Sequence, residues 1–162
     1  MDASPDFKEL LSALNDAKVR YLIVGAYAVV YHSEPRYTKD LDIWIEPSEK
    51  NALRVWTALA NFGAPLSEFT PEIFTIRNSV LQIRVPPNRI DLMTSLTGAT
   101  FAIAWKNRVR SKLGGVPIPI LGRTALLRVK RTVGRPQDLL DVQKILLHKP
   151  AARHKKKKKS KR

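Results

Sequence analysis

Two apolar rhythms alternate along the chain. Over residues 6–17, Phe7, Leu10, Leu11 and Leu14 recur at the three- and four-residue spacing of a helix face, and Ser4-Pro5 supplies its start. Residues 20–24 form a short continuous apolar run that reads as a strand, ended by Gly25. Residues 26–31 read as a helix, 32–39 as a polar loop, and 41–45 as a strand in which Asp42 alternates with apolar neighbours. Pro47-Ser48 opens a helix over 49–62, with Ser48 as its N-cap and Leu53, Trp56, Leu59 and Ala60 expected inward. A short helix is expected over 69–74. Strands follow over 80–85 and 89–93, around a Pro86-Pro87-Asn88 turn. Residues 100–106 predict a short helix, and 109–112 and 116–120 predict strands around Gly114-Gly115. Two closing helices, 123–133 and 136–148, part at Gly134-Arg135. This order predicts one α/β (α+β) domain, a mixed β-sheet flanked by helices.

Composition narrows that picture. The 162 residues suffice for one domain with a real core, expected over 1–150. An apolar fraction of 44% with 11 scattered prolines describes a globular chain. No apolar run approaches membrane-spanning length, and MDASPDFKEL lacks a signal-peptide core. With no cysteine there is no disulfide framework and no thiolate metal site, so a cytoplasmic protein without a membrane partner is expected. The net charge of +15 comes partly from residues 153–162, RHKKKKKSKR, which carry eight Lys or Arg and no acid. Setting those eight aside leaves 21 bases against 14 acids, a surplus of +7. A polyanionic ligand, nucleoside triphosphate or nucleic acid, therefore suits the body as well. Residues 151–162 are expected to be a disordered basic tail, either a solvated end or a nonspecific nucleic-acid contact.

The chemistry-bearing feature is Asp40 and Asp42 in RYTKDLDIWIEP. One residue apart in a strand, both side chains leave the same face. Like charges side by side repel, and a divalent cation such as Mg²⁺ removes that repulsion while also binding phosphate oxygens. The pair therefore marks a candidate metal-dependent phosphoryl-transfer centre.

One pattern and three strings in order make the reading specific: Val24-Gly25-Ala26 followed after 13 residues by Asp40-Leu41-Asp42-Ile43, and the strings PRYTKDLDIWI, RIDLMTSLTG and KRTVGRPQDLLDV. Together they resemble the DNA polymerase β-like nucleotidyltransferase superfamily, and most of all its small bacterial and archaeal members related to toxin components of abortive-infection toxin–antitoxin pairs. The resemblance covers residues 20–147. It implies a palm-like nucleotidyltransferase fold and Asp91 as a third metal-binding carboxylate beside Asp40 and Asp42. It also implies two Mg²⁺ ions, with Mn²⁺ as the alternative, and an NTP substrate. Gly25 would allow the strand-to-helix turn, so that the backbone at Gly25 and Ala26 cradles phosphates at a helix N-terminus. Ala26 departs from the usual second Gly or Ser, which weakens the expectation of tight triphosphate binding; Ser33 is a substitute hydroxyl without geometric support. Arg36 and Lys39 before the aspartates, and Lys130 and Arg135 where relatives carry bases, are the expected phosphate contacts. Thr38 would hold the loop through a backbone hydrogen bond.

Each of these residues has a plainer reading. Asp91 could pair with Arg89 or Arg84, and Lys130 and Arg135 with Asp138 or Asp141 on the last helix. His32, His148 and His154 lack ligand-like spacing. Trp44, Trp56 and Trp105 are spaced as core aromatics. The resulting expectation is an enzyme that moves NMP from an NTP to a hydroxyl of RNA (tRNA included), protein or a small molecule, with a cognate antitoxin protein as a partner. The alternative is a weak or silent homologue that binds nucleotide, nucleic acid or a partner.

Overall fold

The computed structural model describes residues 3–150, so the expected tail and His154 lie outside the described residues. Its elements are α1 (Pro5–Asp16), β1 (Tyr21–Val24), α2 (Gly25–His32), β2 (Asp40–Ile45), α3 (Glu49–Phe62), a 3-10 turn (Pro71–Phe74), β3 (Val80–Val85), β4 (Asn88–Met93), α4 (Phe101–Lys106), β5 (Val109–Leu113), β6 (Val116–Ile120), α5 (Arg123–Val133) and α6 (Pro136–Leu147). The six strands form one mixed sheet in the order β3-β4-β2-β1-β6-β5. β2 runs parallel to β4 and antiparallel to β1, whereas β1 and β6 are parallel. This is the expected α/β architecture.

Helix ends follow their capping residues. Ser4 accepts from Phe7 N at 3.3 Å and Ser48 from Asn51 N at 3.2 Å, each satisfying an orphan first-turn donor for about 1 kcal/mol. Gly63 at φ 85° closes α3 in the left-handed region. In the central strands, neighbours that point to opposite faces are all buried: Leu22, Ile23 and Val24 in β1, and Ile43, Trp44 and Ile45 in β2. The sheet is therefore covered on both sides. α1 packs with α3, and α2 packs with both α5 and α6. Among the described residues, no helix is long and apolar enough to cross a membrane.

One helix face differs from expectation. Leu53, at 60% exposure, and Ala60 point outward, Trp56 is half-buried, and only Leu59 of the four is fully inside. The buried face is Asn51, Ala52, Val55, Ala58 and Leu59. Asn51 sets that rotation. Its Oδ1 accepts from Arg20 N at 2.8 Å, and its Nδ2 donates to Arg20 O at 3.0 Å and Glu46 O at 2.9 Å. A buried amide that satisfies three backbone groups at the ends of β1 and β2 outweighs the exposure of one leucine.

Candidate active site

Strand register brings the aspartates together. Asp42 lies opposite Val24, the last residue of β1, and Asp40 and Asp42 lie beside Arg89 and Asp91 of β4. Side chains alternate along a strand, so Asp40, Asp42, Arg89 and Asp91 share one face of the sheet. β2 starts at Asp40 itself, one residue earlier than the sequence pattern indicates, which places both aspartates on the strand.

The chain turns into α2 at Gly25, where φ is +60°. A Cβ built there would fall on Asp42 Oδ2, with Asp42 Cγ only 2.8 Å away. Glycine is thus required twice, for the left-handed backbone and for the approach of the carboxylate. Val24, the N-cap of α2, offers no side-chain acceptor, so the amides that begin at Gly25 and Ala26 are not capped by it.

The electrostatics are those of crowded acid. Burial, reinforced by the charges of Asp91 and Asp40, pushes Asp42 up to about 6 against the partial relief of Arg89 and Lys130. Burial also raises Asp91, with Asp40 adding to it and Arg89 opposing. Arg89 bridges the group, Nη2 to Asp40 Oδ2 at 3.2 Å and Nε to Asp91 Oδ1 at 3.1 Å. Arg89 Nε and Asp91 Oδ1 are nonetheless buried without a well-aligned hydrogen bond. Asp91 thus takes up its Arg89 pairing and its place beside the other aspartates at once. As the side chains stand, no set of three acidic or histidine groups among the described residues is drawn tightly enough to hold a metal ion. The convergence is at the level of strand face and register.

The predicted basic residues divide. Lys130 Nζ lies 2.9 Å from Asp138 Oδ1 and 3.0 Å from Asp141 Oδ2, and Arg135 Nε lies 2.7 Å from Asp138 Oδ2. Arg36 reaches Asp141 Oδ1 at 3.0 Å and so ties the loop before Asp40 to α6. Burial alone would raise Asp138, but the hydrogen bonds and charges of Arg135 and Lys130 bring it down to about 2. These bases therefore sit in the ion-pair arrangement of their plainer reading, while Lys130 still acts on Asp42 through its charge. Lys39 is exposed beside the site.

Ser33 is not aimed at phosphate. Its buried hydroxyl donates to Val29 O at 2.6 Å, back along its own helix. Thr38 Oγ1 donates to Asp40 O at 3.3 Å and holds the loop as expected. The ring of His32 is buried and bonded to Leu121 O at 2.8 Å, a structural use. Trp44 is a core aromatic, edge-on to Phe101 with ring centroids 5.1 Å apart. A cavity of about 630 Å³ opens beside the loop, lined by Phe7, Tyr27, Val30, Arg36, Tyr37 and Asn88 among others. Arg89 is the site residue that the sequence offered, beside Arg84, only as an ion-pair partner of Asp91; its position two residues before that carboxylate was the available signal.

The mixed six-stranded sheet with its flanking helices is a fold shared with solved nucleotidyltransferases. The sequence matches no family model and no curated protein. By structure, the chain is similar to a nucleotidyltransferase candidate from Thermotoga maritima, TM1012, with a TM-score of 0.58 and 15% identity over 87% of this chain and 90% of that one. It is also similar to the lincosamide antibiotic adenylyltransferase LnuA in its lincomycin-bound form, with a TM-score of 0.56 and 15% identity over 89% of this chain and 96% of that one. A third likeness is to an antigenic nucleotidyltransferase-like protein from Paracoccidioides brasiliensis, with a TM-score of 0.50 and 16% identity over 87% of this chain and 74% of that one. At these identities what is shared is the fold.

Proposed function

We propose that this chain is a metal-dependent nucleotidyltransferase that moves NMP from an NTP to a hydroxyl acceptor. The observation that carries the reading is the placement of Asp40, Asp42 and Asp91 on one sheet face at the end of β1, with Asp42 packed on Gly25. The donor set suits a hard cation: carboxylate oxygens only, one on Asp91 buried without a hydrogen-bond partner, and an Asp42 whose ionisation its acidic neighbours oppose. Asp40, Asp42 and Asp91 would hold Mg²⁺, two ions in the complete site, or Mn²⁺ in its place. When bound, the metal supplies charge neutralisation at the triphosphate and eases ionisation of the acceptor hydroxyl. The chain itself does the rest. The first-turn amides of α2 offer donors and the positive end of the helix to the polyphosphate. Asp91 would help to take the acceptor proton. Arg89 compensates the carboxylates before nucleotide arrives.

The test mixes purified protein with labelled NTPs, Mg²⁺ and cellular RNA, protein or small-molecule fractions. Label transfer should fall at least about a thousandfold in Asp42→Asn, roughly 4 kcal/mol of barrier. Transfer that survives this substitution sinks the reading. A toxin-like role with a cognate antitoxin belongs to the same proposal; unchanged growth on expression of a demonstrably active protein argues against it.

A second reading, a weak or silent binding module, is favoured by one observation: Arg89 lies between Asp40 and Asp91. Ala26 adds to it. Calorimetry separates the two, because a folded protein that takes up no nucleotide at millimolar NTP and Mg²⁺ fits the module and not the enzyme.

A further inference from the structure

A second concavity, larger than the one beside the loop, does not contain the aspartates. A groove of about 1000 Å³ lies between the α4–β5 turn, the β6–α5 turn, the end of α2 and the end of α6. Five cations line it, Lys106, Arg108, Arg123, Arg128 and Lys149, and no Asp or Glu does. Among the described residues, none of the five stands in an ion pair; the bridges of this protein use Arg20, Arg36, Arg89, Lys130 and Arg135.

Two of the cations are held in place by neutral groups. Arg108 stacks over Trp105, 3.9 Å from the ring centroid, and its Nη1 donates to Trp105 O at 2.6 Å. Arg123 Nη1 donates to His148 O at 2.7 Å. Their positions are fixed without carboxylates, so their charge stays uncompensated. Gly122 lets the walls close, because a Cβ there would sit 2.6 Å from Asn107 O. Folding has thus gathered five like charges around one hollow, against their mutual repulsion. The end of β6 that leads into the groove lies at the same end of the sheet as the aspartates: β6 is parallel to β1, Leu121 N donates to Ile23 O at 3.0 Å, and the next residue of β1, Val24, pairs with Asp42 of β2.

We propose that this groove binds the phosphodiester backbone of a nucleic acid. The cations come from three segments of chain, which suits an extended polyanion better than a single phosphate. Pro150 lines the groove, and the basic run RHKKKKKSKR begins three residues later, so positive charge continues along the chain from the groove. The exposed polar and cationic lining reads charge and not base sequence. This binding needs neither metal nor NTP, so it stands apart from the transferase reading.

The experiment measures fluorescence anisotropy of full-length protein with a labelled single-stranded RNA, a DNA of the same sequence, and vesicles rich in phosphatidylserine, each over a salt series. Lys106 and Arg128 are exposed and, among the described residues, form no hydrogen bond through their side chains, so Lys106→Gln with Arg128→Gln should leave the fold intact. That double variant should weaken RNA and DNA binding about tenfold near physiological salt, and the slope of log K against log salt should fall by about 1.4, roughly 0.7 per lost contact. A variant with the lysines of residues 155–159 changed to Gln should retain this dependence on Lys106 and Arg128. Unchanged affinity and slope in the double variant, or binding of vesicles alone, overturns the proposal. Acetylation provides a readout without mutation: saturating RNA should shield Lys106 and Lys149 but not Lys50, and equal modification of all three counts against the groove. Asp42→Asn should bind as the parent does, so failure of transfer and failure of binding are told apart.

Discussion

Two clusters of acid sit on this fold, and they are treated in opposite ways. Asp138 and Asp141 are almost fully buried, and three bases, Arg36, Lys130 and Arg135, reach them at 2.7 to 3.0 Å. Among the described residues, Asp40 and Asp91 pair with a single base, Arg89, at the longer distances of 3.2 and 3.1 Å, and Asp42 stands in no ion pair. The consequence appears in the protons: Asp138 is driven down to about 2, whereas Asp42 is pushed up to about 6. Surplus base around buried acid is what a structural ion-pair network looks like. Acid left short of base, and packed on a glycine, is a local energetic fault that something outside the chain is expected to relieve.

The contrast is broken most forcefully from the compensated side. Lys130→Met removes the base shared by Asp138 and Asp141 and should cost about 3–5 kcal/mol in urea unfolding at neutral pH, because buried carboxylates lose a partner. A loss under 1 kcal/mol would mean that Arg36 and Arg135 carry the cluster alone.

Asp42→Asn should act in the other direction. The folded state pushes Asp42 up to about 6 from the 3.8 of a free aspartate side chain, so the native state holds its proton more tightly. Stability tied to that proton is present below about pH 4 and is lost as pH rises through 6, by roughly 3 kcal/mol at most. The substitution should therefore raise the melting temperature at pH 8 and leave it nearly unchanged at pH 3.5. Melting curves that coincide with the parent at pH 8 would remove the electrostatic distinction between the clusters.

Arg89→Gln should cost about 1 kcal/mol at pH 7, a modest figure because its side chain is 40% exposed. That cost should shrink in acid, where Asp42 and Asp91 take up protons on their own. Smallest of all is Arg135→Ala, which should cost no more than about 0.5–1 kcal/mol by denaturant midpoint, since Arg135 is 73% exposed while the partly buried Lys130 still pairs with the same carboxylate.

The sequence made one cluster legible and not the other. Strand periodicity and the fixed spacing from Gly25 to Asp40 put the first two aspartates on one face, and a motif in the right order pointed to Asp91. The compensated cluster was legible only as helix-local pairs, Lys130 and Arg135 with Asp138 and Asp141. Its third base, Arg36, is 105 residues from Asp141, and no local pattern links them. Arg89 was visible as a neighbour of Asp91, yet its second bond, to Asp40, depends on the parallel pairing of β2 with β4. The same limit produced the misturned face of α3. Leucine periodicity selected Leu53, whereas the strand ends that Asn51 clamps exist only after the sheet has formed. Element boundaries were otherwise close, because caps such as Ser4, Ser48 and Gly134 are local chemistry.

The tie between Arg36 and Asp141 also has a consequence for synthesis. The loop that carries Arg36 leaves the ribosome long before its anchor, and about two-thirds of the chain must follow before the tether can close. A nascent chain paused short of residue 141 would present both strand aspartates with the loop leading into them unrestrained.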